Sequence, residues 1–191
     1  MLSPETDTNQ EIECGKEYGL MLIKPDAVEK DLTESLISHI LSTPTLDQKV
    51  TLENVIVLNP LTDPTDLALV YPNMEPAYME ASIHLFSSGR SVLVVVKGVG
   101  VDMDEEFRKI KGKISGDLGR YGLNDGIRAI IPTVGEKDAF LKLRDKKKRG
   151  IQLDTEDYYA LVRNLVHTPD TVQEKIGLIH LANKYHERYT D

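Results

Sequence analysis

The stretch Asn164–Thr171 places a histidine at the end of an apolar segment and reads N-L-V-H-T-P-D-T. Leu165 and His167 are predicted to lie on one face of an extended segment, and Pro169 with Asp170 indicates a turn leading into a helix. A histidine at such a junction faces the positive end of the helix dipole, where an anion can be held and an imidazole can act as a nucleophile. His167 is therefore the first candidate for a catalytic side chain.

The residues that follow this stretch predict a helix. Apolar residues recur near helical spacing at Val172, Ile176, Ile179 and Leu181. The helix would begin directly after the turn, so that its first backbone N–H groups point toward the histidine.

A second polar stretch lies far upstream, at the end of another apolar segment. Tyr18–Ile23 is short and apolar and is predicted to form a buried strand. Pro25 cannot continue a hydrogen-bonded ladder, so the strand ends there and leaves Lys24 at its end. Taken alone, Lys24 is either a functional cation or an exposed lysine at the end of a strand.

The remaining segments predict a sheet with helices between its strands. Apolar runs rich in valine and isoleucine predict strands at Val50–Leu58 and Ser91–Val96, the latter covered on both faces. The predicted helices include Asp104–Ile114, Glu136–Arg149 and Thr155–Arg163. With the strands before Lys24 and at His167, this order favours an α+β sandwich in which helices cover one face of a mainly antiparallel sheet.

The composition narrows the class of protein. The 191 residues carry a formal net charge of −8, which disfavours general binding to nucleic acid or an anionic membrane, so an anion site would need locally clustered lysine and arginine. A single cysteine, Cys14, makes neither an internal disulfide nor a cysteine metal cluster. No apolar run approaches membrane-spanning length, and residues 1–17 predict a polar tail without the order of a signal peptide. A cytoplasmic globular protein is expected.

Several motifs, in the right order along the chain, resemble those of nucleoside diphosphate kinases. Ile23–Val28 reads I-K-P-D-A-V and is similar to the first signature of that family, and Asn164–Thr171 is similar to its active-site signature. Between them, Phe86–Gly89 and Gly126–Arg128 are similar to further blocks of the family pattern, and Ile176–Leu178 matches after the histidine. Because several such motifs occur in order, the match is far more specific than any one of them.

The resemblance implies a ferredoxin-like αβ sandwich with a four-stranded, mainly antiparallel sheet over residues 18–186 and an inserted helical segment at about 133–160. It implies transfer of the terminal phosphate of a nucleoside triphosphate to a nucleoside diphosphate through a phosphohistidine on His167. Mg²⁺ would be held mainly by the nucleotide phosphates, without a dedicated set of metal ligands. The family packs its subunits through the region of the insertion, so a homo-oligomer is expected to be a dimer rather than the usual hexamer.

The resemblance also gives roles to individual residues. The matched phosphate-contacting cations are Lys24, Arg108 and Arg128. Asn164 would hydrogen-bond the ribose, and Tyr71 would lie near His167. Tyr78 would stack on the base, and because stacking needs only a ring face, low selectivity among bases is expected.

Simpler interpretations stay open for some of these residues. Arg108 is also consistent with a solvated helix position, Arg128 with an ion pair to a nearby acid, and Tyr78 with a core position. The functional alternative is a catalytically degenerate nucleotide-binding or interaction module of the same fold. A weaker alternative is a different histidine phosphotransfer, such as a relay between proteins.

The chain departs from the family pattern directly after its histidine. The family has Gly and Ser there, whereas this chain has Thr168 and Pro169, so the hydroxyl of Thr168 or Thr171 would have to replace that of the serine. The nearest acid able to orient His167 is Glu174, although its spacing differs from that of the family.

Overall fold

The computed structural model of the protein describes residues 15–43, 46, 49–111 and 134–187, with the backbone alone at 134–138 and 140. The strands are β1 (Tyr18–Ile23), β2 (Val50–Leu58), β3 (Ser91–Gly98) and β4 (Val166–His167). The helices are α1 (Pro25–Glu29), α2 (Thr33–Leu41), α3 (Leu67–Val70), α4 (Pro76–Ser88), α5 (Met103–Lys111), α6 (Val134–Lys148), α7 (Thr155–Val162) and α8 (Val172–Tyr185). A short 3-10 helix, Pro64–Asp66, precedes α3.

The four strands form one antiparallel sheet in the order β2-β3-β1-β4. β1 lies between β3 and β4, with Leu22 opposite both Leu93 and His167. All six residues of β1 are buried, which fits its continuous apolar sequence. The predicted ferredoxin-like α+β sandwich is confirmed, and each strand pair in it is antiparallel.

Helices cover both faces of the sheet, so the prediction of a single covered face is wrong. Successive residues of a strand point to opposite faces, and β1 and β3 are apolar at both sets of positions. One face, with Leu20 and Val95, packs against α3, α4 and α8. The other face, with Met21 and Val94, packs against α1, α2 and α5. A strand pair that is apolar on both sides needs two helical layers to exclude water.

A close backbone contact sets the orientation of α8. A Cβ atom on Gly177 would lie 2.4 Å from the carbonyl oxygen of Leu69, so only glycine allows α3 and α8 to approach this closely. Of the apolar positions expected on this helix, Ile179 and Leu181 are buried, whereas Val172 and Ile176 are exposed.

The buried face of α8 instead includes a lysine. The ammonium group of Lys175 donates to the carbonyl oxygens of Tyr18 at 2.6 Å and Gly15 at 3.1 Å, and it pairs with the Asp104 carboxylate at 3.0 Å. These contacts connect α8 to the start of β1 and to α5. A buried charge of this kind is stable only because each contact replaces a lost water.

Two helices, α6 and α7, occupy most of the segment that the sequence predicts to be an insertion. Asp154 accepts a hydrogen bond from Asp157 N and completes a capping box at the start of α7. A small apolar cluster joins α6, α7 and α4, and it contains Leu153, Leu161, Tyr78, Leu141, Leu143 and Tyr158. These two helices therefore pack against each other and against α4. Within the described residues, no helix combines the length and apolarity needed to cross a membrane.

A polar network attaches α8 to the 3-10 helix. The buried Asp66 carboxylate lies 2.9 Å from His180 Nε2, accepts from the Tyr185 hydroxyl at 2.6 Å and pairs with Lys184 at 2.7 Å. Burial alone raises the pKa of Asp66, but the hydrogen bonds from Lys184, Tyr185 and His180 outweigh it and lower the pKa to about 2. The same network raises the pKa of Lys184, chiefly through its hydrogen bond to Asp66.

We expect Asp66→Asn to lower the free energy of unfolding at pH 7 by about 2 kcal/mol, the equivalent of a pKa lowered from 3.8 to about 2. Because the folded-state pKa is the lower one, this contribution is complete above about pH 4 and is lost as the pH falls toward 2. Urea unfolding at pH 7 and at about pH 3 measures both effects.

Asp63→Asn is the matched control for this prediction. Asp63 contacts the same lysine at 3.1 Å, but its side chain is 44% exposed, so a smaller loss is expected. Equal losses in the two variants at pH 7 would contradict the argument. So would an Asp66→Asn protein that keeps the wild-type change in stability between the two pH values.

Candidate functional site

His167 is the last residue of β4, an edge strand that pairs with the central strand β1. It is opposite Leu22 of β1, and its side chain is only 9% exposed. The helix α8 begins five residues later, after Thr171, whose hydroxyl accepts from Glu174 N at 3.2 Å. The predicted junction of strand, turn and helix is therefore present around His167.

The residue two before His167 has an unusual backbone. Leu165 has a φ of +70°, and Val166 N donates to Asn164 O at 2.9 Å across a three-residue turn. A left-handed conformation costs a residue with a side chain about 1–2 kcal/mol. Leu165 and Val166 are both in the core, so the prediction of an extended segment that alternates between two faces is wrong at this position.

The lysine–proline–aspartate segment after β1 holds this turn in place. Lys24 N donates to Leu165 O at 2.8 Å, and the carboxylate of Asp26 accepts from Leu165 N at 3.0 Å. Asp26 is 1% exposed. Asp26 belongs to the I-K-P-D-A-V motif, but its contact with Leu165 was not predicted, because the two residues are 139 positions apart in the sequence. The two motifs meet in space, and one supports the strained turn of the other.

Lys24 and Asn164 contact each other directly. The Lys24 ammonium donates to Asn164 Oδ1 at 2.8 Å and to Val162 O at 3.0 Å, and Lys24 is 6% exposed. The amide of Asn164 donates in turn to Leu161 O at 3.1 Å. The structure thus brings two of the predicted site residues together, and it excludes the interpretation of Lys24 as an exposed lysine.

The ring of His167 lies between Tyr71 and Glu174. The Tyr71 ring meets it edge-on, with 4.6 Å between centroids, and Glu174 Oε2 lies 3.5 Å from His167 Nε2. Burial raises the pKa of Glu174, while Asp170 N, at 2.9 Å from Oε2, opposes that rise. Despite its different spacing, Glu174 is therefore the acid beside the histidine.

Solved structures of nucleoside diphosphate kinases share this arrangement of strands and helices. The enzyme from Aquifex aeolicus aligns with a TM-score of 0.55 and 18% identity over 86% of this chain and 93% of its own. That from Encephalitozoon cuniculi aligns with 0.54 and 19% identity over 86% and 87%. That from Borrelia burgdorferi, with bound vanadate and ADP, aligns with 0.54 and 17% identity over 91% and 92%.

This chain has the nucleoside diphosphate kinase fold. The fold resemblance predicted from the motifs is confirmed. No protein-family model matches the sequence, and no curated protein matches it. The shared fold therefore extends over most of the chain while the sequence has diverged to below 20% identity. The roles of individual residues have to be argued from their geometry here.

Neither threonine after the histidine faces an open site. Thr168 is fully buried, and its hydroxyl has no hydrogen-bond partner within the described residues. The hydroxyl of Thr171 accepts from Glu174 N and caps α8. In this conformation, neither hydroxyl is available to replace that of the family serine.

Of the two predicted arginines, only Arg108 lies within the described residues. Arg108 Nε donates to Asp104 O at 3.1 Å, within its own helix. Arg128 and the motif around it lie outside the described residues. Lys111, at the end of the same helix as Arg108, instead reaches the turn after His167. This lysine was not selected from the sequence, because no motif surrounds it.

The Tyr78 ring packs against residues of α6 and α7. The Lys147 ammonium is 4.0 Å from the centroid of its ring, and Tyr158 meets the ring edge-on at 5.1 Å. Glu75 pairs with Lys147 and accepts from the Tyr158 hydroxyl at 2.7 Å. We call the three residues that contact this ring or hold those contacts, Glu75, Lys147 and Tyr158, the latch. In this conformation, the latch covers one face of the ring that was predicted to stack on a base.

Proposed function

We propose that this protein is a nucleoside diphosphate kinase, which transfers the γ-phosphate of a nucleoside triphosphate to a nucleoside diphosphate through a phosphohistidine on His167. The observation that carries the proposal is the position of the imidazole between Tyr71 and Glu174 at the end of β4. A nucleophilic histidine needs a fixed ring and a neighbouring acid that selects its tautomer.

The chemistry follows from this pairing. The Glu174 carboxylate beside Nε2 favours the proton on that nitrogen and leaves the lone pair of Nδ1 to attack the γ-phosphorus. A bond forms from nitrogen to phosphorus, the bond from the γ-phosphorus to the bridging oxygen breaks, and the nucleoside diphosphate leaves. An oxygen of a second diphosphate then reverses the step. Transfer of this kind depends mainly on positioning and on charge compensation, for which Lys24 and Arg128 are the proposed cations.

Asn164 and Tyr78 are proposed to hold the nucleoside. The side-chain amide of Asn164 adjoins Lys24, so one short contact would join the ribose site to the phosphate site. Tyr78 presents a ring face for the base once the latch has opened. Arg108 remains a proposed phosphate contact, provided that its guanidinium turns from its own helix toward the nucleotide.

Mg²⁺ would enter this site together with the nucleotide. Within the described residues, no group of three or more His, Cys, Asp or Glu side chains is arranged to hold a metal ion. Mg²⁺ keeps several waters and needs only one or two carboxylates, and Asp170, with its side chain 57% exposed, offers one close to His167. When bound, the ion neutralises charge on the phosphate oxygens.

The test is phosphorylation of the purified protein with γ-labelled ATP and Mg²⁺, followed by a chase with an unlabelled nucleoside diphosphate. An acid-labile, alkali-stable label on His167 that moves to the diphosphate supports the kinase. A label that forms but does not move supports a histidine relay. Bound ATP without any label supports the second candidate function, the catalytically degenerate binding module.

That second candidate has its own structural support. The Lys24 ammonium is committed to Asn164 and to Val162 O, and the Tyr78 ring is covered by Lys147. Both contacts would have to change before a nucleotide used these side chains. A module that binds partners through the insertion would keep them.

We expect Lys147→Ala to raise the affinity for ATP by about two- to fivefold, because a cation over an aromatic ring contributes about 0.5–1 kcal/mol that base stacking has to overcome. Equilibrium titration with a fluorescent ATP analogue measures the change. Lys146→Ala is the control, since it removes the same charge from an exposed neighbouring position. Weaker binding in both variants would show that the latch does not compete with the base.

We propose a cytoplasmic dimer as the working form of the protein. β2 is an edge strand of the sheet, and its Leu52 and Val55 side chains are 41% and 40% exposed. A second copy pairing along this edge would cover both side chains and extend the sheet through backbone hydrogen bonds. We expect sedimentation at micromolar concentration to show a dimer, and Leu52→Lys to shift it toward monomer. An unchanged sedimentation coefficient in that variant would place the interface elsewhere.

A further inference from the structure

The side chain of Lys111, the last residue of α5, contacts the turn that follows the candidate nucleophile. The buried face of this helix, with Phe107 and Ile110, packs on the sheet, and its C-terminal end thereby reaches the end of β4. The Lys111 ammonium lies 3.4 Å from Thr168 O and 3.4 Å from Asp170 Oδ1. Its side chain is only 12% exposed, so the cation is held close to the turn.

Neighbouring cations on the same helix are directed elsewhere. Arg108 Nε donates to Asp104 O within the helix. Lys109 pairs with Glu105 at 3.1 Å and with Glu106 at 2.7 Å. The contacts to the turn after His167 are made by Lys111. Position along the helix explains this, because Lys111 is the last residue of α5 and this end of the helix lies beside the turn.

The turn itself is acidic, which matters for an anionic substrate. Asp170 lies within it, and the carboxylate of Glu174, from the first turn of α8, accepts from Asp170 N and lies 3.5 Å from His167 Nε2. Lys111 lowers the pKa of Glu174 by its charge, although burial is the larger effect and raises that pKa. A phosphate that approached His167 without a local cation would be repelled by both carboxylates.

We propose that Lys111 is a catalytic residue whose ammonium group donates to oxygens of the phosphoryl group as it moves to and from His167. This inference rests on the proposed function. In the transfer step, Lys111 stays protonated and exchanges its contact with Asp170 for one with the phosphate. The bond from nitrogen to phosphorus forms and the bond from phosphorus to the bridging oxygen breaks, so charge moves onto the leaving diphosphate while the phosphoryl oxygens stay paired with Lys111.

The test compares Lys111→Gln, Lys111→Arg and the control Lys109→Gln in the full-length protein. We expect Lys111→Gln to slow labelling by γ-labelled ATP by about 100-fold or more, as for other contacts to transition-state charge. Lys111→Arg should recover at least about tenfold of that loss, because it restores the charge. Lys109→Gln should be labelled at close to the wild-type rate, since its ammonium pairs with Glu105 and Glu106 of its own helix.

A pH profile separates direct contact from an effect through Glu174. If Lys111 acted only by lowering the pKa of Glu174, Lys111→Gln would regain the wild-type labelling rate at higher pH, and that result would overturn the proposal. The titratable groups around the Glu174 carboxylate are His167 at the end of β4, Asp170 in the turn and Lys111 at the end of α5. A loss that persists at every pH, in a variant whose thermal unfolding midpoint matches the control, supports direct contact.

Measurements of ATP affinity test the role of Lys111 even if the protein is not a kinase. A wild-type protein that binds ATP without being labelled would refute the kinase, and affinity would then decide the role of Lys111. Contact with phosphate predicts that Lys111→Gln weakens ATP at least about tenfold, leaves adenosine unchanged and reduces the salt dependence of ATP binding. Equal ATP affinity in Lys111→Gln and Lys109→Gln would refute the role of Lys111 by itself.

Discussion

Replacing His167 with alanine is expected to abolish phosphoryl transfer, a loss on the order of 10⁴-fold or more, because removal of a nucleophile leaves no route through a covalent intermediate. Nucleotide binding should largely persist, since the proposed contacts to the ribose and phosphates come from Asn164 and Lys24. His180 lies on α8, where its ring contacts the Asp66 carboxylate, and it offers no substitute.

The rate of label transfer from γ-labelled ATP to a diphosphate measures this effect. His167→Gln is the second variant, because it keeps most of the volume packed against Tyr71 and so guards against a collapse of the turn. His39→Ala, on α2, is the control for loss of any histidine. Transfer at the wild-type rate in either His167 variant would refute the assignment of the nucleophile.

Replacing Lys24 with methionine is expected to reduce transfer by about 10²–10³-fold, the usual effect of losing a group that stabilises transition-state charge. The buried ammonium would be missing both from the phosphate site and from its contacts with Asn164 Oδ1 and Val162 O. Leaving these buried acceptors without a donor should also lower the free energy of unfolding by about 1–3 kcal/mol.

Two measurements separate these effects. Urea unfolding reports the structural part, and the single-turnover rate of labelling at saturating ATP reports the catalytic part. Lys30→Met removes a lysine from the exposed end of α1 and should change neither quantity appreciably. A Lys24→Met protein with full activity but reduced stability would show that the Lys24 ammonium serves only to hold Asn164 and Val162 in place.

Local patterns in the sequence predicted most of the elements. Proline after β1, glycine after α4 and the apolar runs of β1 and β3 act through neighbouring residues, so their consequences can be read without knowing the fold. The same holds for α7, whose N-terminal cap, Asp154, lies directly before the helix. A tyrosine beside the candidate nucleophile was predicted through family resemblance, and Tyr71 does lie against the His167 ring.

Contacts between distant segments could not be predicted in this way. The Asp26 carboxylate accepts from Leu165 N, 139 residues away in the sequence, and the Lys147 ammonium of α6 lies over the Tyr78 ring. Glu174 shows a related limit, because its spacing from His167 differs from the family pattern, while its carboxylate accepts from Asp170 N and lies beside the ring.

The sequence by itself determined the strands, most helices and the motifs that identify the fold, because these depend on periodicity and on residues within one turn or one strand. The tertiary structure decided which charged groups surround His167. It placed the Lys111 ammonium beside the turn that follows His167 and directed Arg108 Nε to its own helix. The two residues lie less than one helical turn apart on α5. The physical reason is that the packing angle of α5 on the sheet sets which side chain reaches the site, and that angle is set by the whole core.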